Sequence, residues 1–186
     1  MPERKVIAEG ISYIEQLGWS LTVVRGGGET PKAPLHRGWP DLQLGVESLR
    51  HILEHNHDAG IGLNLGGSGL IDLEGDTPEG EAILDDLCKG LTFPCWQSRK
   101  SKHRLFQAHP DISKLTVMPE EIEFRTGRHQ SVLPPTVIRE TAYQWLVSPF
   151  DVQPPPARAR HPRPSETRSS DNESPELSMQ GSHVRR

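Results

Sequence analysis

The chain has 186 residues, a length that accommodates one domain with an extension. Its formal net charge is −4 at pH 7, which argues against a protein that binds nucleic acid through net positive charge alone. No segment has the apolar run of a signal peptide or the length of a membrane span, so we expect a cytoplasmic protein with no membrane partner. Cys88 and Cys95 lie seven positions apart, a spacing that fits neither a CxxC metal site nor a disulfide framework and predicts buried thiols.

Apolar residues recur at helical spacing in three segments of the first half of the chain. The first predicted helix covers residues 3–17, and Gly18 is its stop signal. A second helix is predicted from Val46 to an end among residues 55–57, and a third begins at Pro78 with Gly90 at its end.

Short apolar runs bounded by turn residues predict strands between and after these helices. In the first half of the chain they cover residues 21–24, 60–65 and 70–74. In the second half they cover residues 93–97, 103–107, 121–125 and 130–133, with a final edge strand over 143–146. The glycine-rich segment 66–69 suits a tight reversal between two of the strands. Helices mixed with largely antiparallel strands predict an α+β domain.

The composition changes at Asp151, where Pro, Ser, Arg and acidic residues replace the apolar periodicity. The segment 151–186 holds six Arg against five Asp and Glu, so residues 1–150 carry a net charge of −5. Its few apolar side chains cannot offset the entropy that ordering would cost. We therefore predict a catalytic or binding domain over residues 1–150 and a disordered Pro/Ser/Arg-rich tail over 151–186.

The strongest local signal for chemistry is the pair Asp72 and Glu74 within an apolar strand. Alternating side chains on a strand share a face, so both carboxylates point the same way. Such a pair repels itself unless a cation lies between its members, and hard divalent ions take oxygen ligands of this kind. The pair alone is weak evidence for a metal site, because acidic pairs on solvent-facing strands are frequent.

Two later segments strengthen this signal. Ser101 and His103 precede the apolar residues of a predicted strand, and Glu123 is followed two positions later by Arg125. Taken singly, His103 fits an ordinary core or surface histidine. Glu123 and Arg125 likewise fit a solvated ion pair of small energetic consequence.

The order of these motifs resembles the N-terminal domain of bifunctional DNA primase/polymerases, in the archaeo-eukaryotic primase superfamily. The similar features are D-x-E, then S-x-H, then an acid-x-R pair, then a Pro-Pro-Thr turn, spread over residues 10–146. Shorter matches accompany them at Lys32-x-Pro34, Gly38-Trp39, Asn64-Leu65-Gly66 and Tyr143-x-Trp145. The resemblance implies an RRM-like catalytic antiparallel sheet packed against an N-terminal α/β unit.

Carried over residue by residue, the resemblance implies that Asp72, Glu74 and Glu123 bind the catalytic metal ions, Mg²⁺ or Mn²⁺. It further implies that Ser101 and His103 hold the phosphates of a nucleoside triphosphate, with Arg125 nearby. The activity implied is template-directed nucleotide addition on single-stranded DNA by a two-metal mechanism, in DNA replication.

The sequence departs from the family pattern just before its histidine. Many relatives have a glycine-rich approach there, whereas the stretch 99–104 holds four Lys and Arg besides His103 and is one candidate for a local basic surface. Many relatives also continue into a helicase, but no G-x-x-x-x-G-K-[ST] motif occurs here, so a separate helicase is the expected partner.

Two other functions fit the same residues. One is a catalytically weak module that binds nucleotide or single-stranded DNA within the replication complex of a mobile element, which the acidic net charge favours. The other is a metal-dependent nuclease, although Arg125 occupies the position where an acid-x-Lys arrangement would have lysine.

Overall fold

The structure is a computed structural model that describes residues 4–110, 112, 115–117 and 121–157, with the backbone alone at 115–117. Its helices within these residues are α1 (Lys5–Leu17), α2 (Val46–His55), α3 (Leu65–Ser68) and α4 (Pro78–Leu87). Its strands are β1 (Leu21–Arg25), β2 (Ala59–Asn64), β3 (Leu70–Gly75), β4 (Cys95–Gln97), β5 (Lys102–Gln107), β6 (Leu115–Val117), β7 (Ile122–Arg125), β8 (Gln130–Val132), β9 (Val137–Ile138), β10 (Thr141–Ala142) and β11 (Gln144–Val147).

The three predicted helices are confirmed, and local capping explains where α1 ends and where α4 begins. Gly18 adopts φ 67° after α1, a left-handed conformation that favours glycine, and its N–H bonds the carbonyl of Ile14 at 3.2 Å. At the start of α4 the Thr77 side chain accepts the N–H of Gly80 at 3.0 Å, with Pro78 in the first turn.

The strands form two main antiparallel sheets. The small sheet has the order β1-β2-β8, and the large sheet has the order β11-β4-β5-β3-β7-β6. A separate two-stranded ribbon joins β9 and β10. The prediction of a mixed α+β domain with antiparallel sheets is confirmed, and β11 lies at the edge of its sheet as expected.

The two faces of the large sheet pack against different partners. One face contributes Leu70, Trp96 and Leu105 to the main core, together with residues of the small sheet and α1. The opposite face contributes Ile71 and Phe106 to a second cluster that includes Cys88, just after α4. The large sheet is therefore covered on both sides, and its first face meets the small sheet.

The predicted reversal at residues 66–69 is wrong. These residues belong to the helical turn α3, whose N-cap Asn64 accepts the N–H of Gly67 at 3.2 Å. Instead of pairing with each other, β2 pairs with β1 and β8, while β3 pairs with β5 and β7. The glycine-rich segment thus carries the chain from one sheet to the other.

Residues 151–157, which the sequence assigned to the tail, contact the large sheet. The N–H of Gln107 bonds the carbonyl of Pro155 at 2.9 Å, and the N–H of Ala157 bonds the carbonyl of Gln107 at 3.2 Å. Pro154 is buried, and Ala157 packs against the second cluster. The folded part thus reaches at least Ala157, while the predicted tail from 158 onward lies outside the described residues.

Cys88 and Cys95 are both free and buried, as predicted. Burial raises the pKa of each thiol. Among the described residues, none of the helices has the length and apolar character needed to cross a membrane.

Candidate active site

The register between β3 and β7 brings three carboxylates and a guanidinium onto one face of the large sheet. Asp72 lies opposite Arg125, and Glu74 lies opposite Glu123. Directly opposed residues on antiparallel strands share a face, and positions two apart along one strand do so as well. This is the face that meets the small sheet, which explains why Asp72 is fully buried and Glu74 is 7% exposed.

His103 links the two carboxylates of β3. Its Nδ1 lies 2.8 Å from Oδ2 of Asp72, and its Nε2 lies 3.1 Å from Oε2 of Glu74. A carboxylate only accepts hydrogen bonds, so a ring nitrogen that carries a proton can donate to the carboxylate beside it. The imidazole ring therefore lies between Asp72 and Glu74 and contacts both.

Arg125 supplies a counter-charge to the same pair. Its Nη2 contacts Oε1 of Glu74 and lies 3.3 Å from Oδ2 of Asp72. Its Nε lies 3.6 Å from Oε2 of Glu123, which is an ion-pair contact too long for a hydrogen bond. The Arg125 side chain is only 20% exposed, so its ion pairs are largely shielded from solvent.

These contacts fix the protonation states of the central groups. Burial alone would raise the pKa of Asp72, but His103, Arg125 and a hydrogen bond from Ser131 outweigh it and lower the pKa to about 2. Burial would lower the pKa of Arg125, but the charges of Asp72, Glu74 and Glu123 raise it instead. Asp72 is thus ionised and Arg125 is charged at neutral pH.

All six residues predicted for the site lie in one contiguous network. Ser101, predicted to hold phosphates, is buried and donates its hydroxyl to Oε2 of Glu74 at 3.0 Å. Glu123 is the most exposed of the three carboxylates, with 28% of its side chain accessible, and reaches the network through Arg125. The structure therefore assembles the predicted residues around the Asp72–Glu74 pair.

Ser131 belongs to the network, but the sequence assigned it no role. Its Oγ donates to Oδ2 of Asp72 at 2.5 Å, and only 1% of the residue is exposed. Ser131 lies on β8 of the small sheet, whereas Asp72 lies on β3 of the large sheet. The bond thus ties the two sheets together at the site, a contact between distant segments that spacing along the chain does not reveal.

Trp96 supports His103 from the neighbouring strand β4. The two residues are register partners, and their rings stack in parallel with centroids 4.5 Å apart and planes 4° apart. Such stacking holds the plane of the imidazole ring against the indole. Trp96 is fully buried, and it packs on the site histidine.

The prediction of a basic surface over residues 99–104 is wrong for Arg104. Arg104 is fully buried on the opposite face of the large sheet, where its Nη2 lies 2.6 Å from Oε2 of Glu81 and 2.8 Å from Oδ1 of Asp85. Lys102 also pairs with Asp85, at 2.5 Å. Both cations are therefore neutralised within the fold.

The donor set at Asp72, Glu74 and Glu123 suits a hard divalent cation in chemistry, because all its ligands are carboxylate oxygens. Oδ1 of Asp72 is buried and has no hydrogen-bond partner within the described part of the chain. Arg125 lies between Asp72 and Glu74 and neutralises both, as a shared cation would. With Arg125 and His103 in place, no group of three or more His, Cys, Asp or Glu among the described residues is arranged to hold a metal ion.

Comparison of the sequence with known proteins identifies its family. A search of curated proteins found no match. The family model for the N-terminal domain of bifunctional DNA primase/polymerases matches residues 10–162, which includes every site residue named above. The match covers most of the 186 residues, so the chain belongs to the bifunctional DNA primase/polymerase N-terminal family.

Proposed function

We propose that the chain is a template-directed nucleotidyltransferase that extends DNA from nucleoside triphosphates. The 3′-hydroxyl of a primer, or of a first nucleotide, would release its proton to solvent as its oxygen forms a bond to the α-phosphorus of a bound triphosphate. The bond between the α-phosphorus and the bridging oxygen would break, and pyrophosphate would leave. The family supports DNA primase/polymerase activity with nucleotide and template binding in general, and the site residues support the chemistry proposed for this chain.

The carboxylates Asp72, Glu74 and Glu123 would hold the divalent ions of this reaction. When bound, Mg²⁺ or Mn²⁺ neutralises phosphate charge and makes the attacking hydroxyl more acidic. Asp72 is ionised at neutral pH because its pKa lies at about 2. Its oxygen Oδ1 has no hydrogen-bond partner among the described residues, so it can take a ligand without breaking an existing bond.

The cations Arg125 and His103 would receive the triphosphate. Positioned charges that offset developing negative charge contribute much of the catalysis of phosphoryl transfer. Arg125 is the more accessible of the two, with 20% of its side chain exposed against 6% for His103. Ser101, now bonded to Glu74, would keep that carboxylate oriented while the phosphates bind.

The single observation that carries this proposal is the pairing of Asp72 with Arg125 and of Glu74 with Glu123 across β3 and β7. It collects three carboxylates and a guanidinium on one sheet face, with His103 between two of the carboxylates. The RRM-like type of sheet, the role in DNA replication and a separate helicase partner are part of the same proposal.

One observation favours a second candidate, a module that binds nucleotide or single-stranded DNA without chemistry. Arg125 and His103 already neutralise Asp72 and Glu74, so the site is satisfied without a metal ion. Such a module would bind nucleotide through the two cations but would not incorporate it.

Primer extension and de novo synthesis on single-stranded DNA, with Mg²⁺ or Mn²⁺, distinguish the two candidates. The transferase should incorporate nucleotides, and Asp72→Asn, Glu74→Gln and Glu123→Gln should each abolish incorporation in folded protein. Asp41→Asn is the matched control, because Asp41 forms an exposed pair with Arg128 on the surface. Nucleotide binding without incorporation by the wild-type chain would establish the binding module instead.

A further inference from the structure

Glu81 of α4 connects the ends of the two strands that carry the site. Its Oε1 accepts the backbone N–H of Gly75 at 3.2 Å and the backbone N–H of Lys102 at 3.3 Å. Gly75 ends β3 directly after Glu74, and Lys102 begins β5 between Ser101 and His103. One carboxylate oxygen therefore holds two backbone positions, each adjacent to site residues.

This carboxylate takes the place of a strand-to-strand contact. The β3–β5 ladder ends with Leu73 opposite Arg104, and the same register continued by two residues would set Glu74 opposite His103 and Gly75 opposite Lys102. Their amide groups bond Glu81 instead, so the side chain lies where the two strands separate. Unpaired amides in a partly buried position are costly, and a charged acceptor satisfies them more strongly than a neutral one.

Glu81 is itself held firmly. Arg104, which is fully buried, bonds its Oε2 at 2.6 Å and also bonds the carbonyl of Lys102 at 2.9 Å. The first turn of α4 lies directly on the end of β3, since a Cβ at Gly75 would lie 2.5 Å from the backbone nitrogen of Glu81 and 2.7 Å from the carbonyl carbon of Gly80. Only glycine at position 75 permits this approach.

We infer that Glu81 is a positioning residue for the site. By fixing the separation of β3 and β5 at Gly75 and Lys102, it sets the distance between Glu74 on one strand and His103 on the other. It lies on the opposite side of the sheet from the site, and it acts through the backbone alone. The consequence for nucleotide incorporation rests on the proposed function, whereas the effect on the strands does not.

The test compares Glu81→Leu, which removes the oxygen that accepts both backbone N–H groups, with Asp85→Leu. Asp85 is the matched control because it bonds the same Arg104 at 2.8 Å but accepts no backbone N–H of β3 or β5 among the described contacts. Glu81→Gln is the conservative variant, since its amide oxygen can still accept the two N–H groups. If Glu81→Leu fails to fold because Arg104 loses a partner, Glu81→Leu/Arg104→Leu removes the buried charge as well.

Two readouts are independent of activity. Hydrogen exchange at the amides of Gly75 and Lys102, measured relative to amides of β2, should accelerate roughly tenfold or more in Glu81→Leu, less in Glu81→Gln and little in Asp85→Leu. The ring resonances of His103 should shift in Glu81→Leu and remain in place in Asp85→Leu. Equal exchange in the two leucine variants would overturn the inference and reduce Glu81 to a counter-ion of Arg104.

The rate of nucleotide incorporation tests whether the separation of β3 and β5 affects the reaction. It should fall at least about tenfold in Glu81→Leu at saturating nucleotide, recover in part in Glu81→Gln, and stay near wild type in Asp85→Leu. Faster exchange with an unchanged His103 signal and an unchanged rate would also overturn the inference. An inactive wild-type chain would refute the proposed function, and exchange and the His103 signal would still decide the positioning role.

Discussion

Replacing Arg125 with methionine tests whether its charge stabilises the fold by compensating the carboxylates that it contacts. The substitution preserves an unbranched side chain but removes a cation that contacts both Asp72 and Glu74. Removing one partner of a buried ion pair costs roughly 3–5 kcal/mol, because the remaining charge loses its compensation. Arg125 is 20% exposed, so we expect a loss of about 3 kcal/mol in the free energy of unfolding.

Thermal and denaturant unfolding at pH 7 measure this loss. For a chain of this size, a loss of about 3 kcal/mol lowers the melting temperature by roughly 6–12 °C. Arg128→Met is the matched control, because Arg128 pairs with Asp41 while both side chains are more than two thirds exposed, at 68% and 69%. Such exposed pairs contribute about 0–1 kcal/mol, so the control should lose little.

Added Mg²⁺ or Mn²⁺ should restore much of the stability of Arg125→Met. A cation that binds the freed carboxylates only in the folded state stabilises it by about 2.7 kcal/mol at a hundredfold excess over its dissociation constant. The wild-type chain should gain less, because Arg125 already occupies the place between Asp72 and Glu74. An equal gain in stability in both proteins would mean that the metal binds away from Asp72 and Glu74.

An Arg125→Met variant that loses no more stability than Arg128→Met would refute this role of the Arg125 charge. That result would make Arg125 an ordinary solvated ion pair, as Glu123 and Arg125 alone suggest in the sequence. It would also remove the structural support for a charged network around the carboxylates.

Four further outcomes follow from the contacts of the site and the end of the chain. Ser131→Ala removes the hydroxyl that donates to Asp72 at 2.5 Å and should cost about 1.5–3 kcal/mol of stability in denaturant unfolding. The pKa of Asp72 is lowered from 3.8 to about 2. Its ionised form therefore stabilises the fold by about 2 kcal/mol at neutral pH. This contribution should be lost as the pH falls from about 4 to 2. Asp72→Asn should abolish that part of the acid dependence. His103→Ala should raise the apparent Michaelis constant for nucleotide roughly tenfold to a hundredfold at saturating metal, through loss of a charge-assisted hydrogen bond to phosphate; an unchanged constant would remove this residue from nucleotide binding. Deleting residues 151–186 should lower the melting temperature by several degrees because the first of them pack on the large sheet, and deleting only 158–186 should change it less.

The sequence alone predicted the three longer helices, most of the strands and the family. Helical periodicity with Gly18 as a stop and Pro78 as a start predicted helices that the structure confirms, because these signals act within a few residues. The identity and order of the motifs around Asp72, His103 and Glu123 were enough to indicate the primase/polymerase family, which the family model confirms.

The tertiary structure decided how strands pair, and local signals do not contain that information. The glycines at 66–69 are compatible with a hairpin, but the apolar faces of β2 and β3 are buried in different sheets, so the segment became a crossover. Likewise Arg104 looks like one cation in a basic run, and only the position of α4 over the sheet supplies Glu81 as its partner.

The charge state of the site is also a tertiary property. The spacing of Asp72 and Glu74 predicts two carboxylates on one face, but it leaves open what neutralises them. Ser131 and Arg125 reach Asp72 across 59 and 53 positions of the chain, and their proximity depends on the packing of one sheet on the other and on the β3–β7 register. A pKa depends on the distances between charges and on burial, and both are set by the fold.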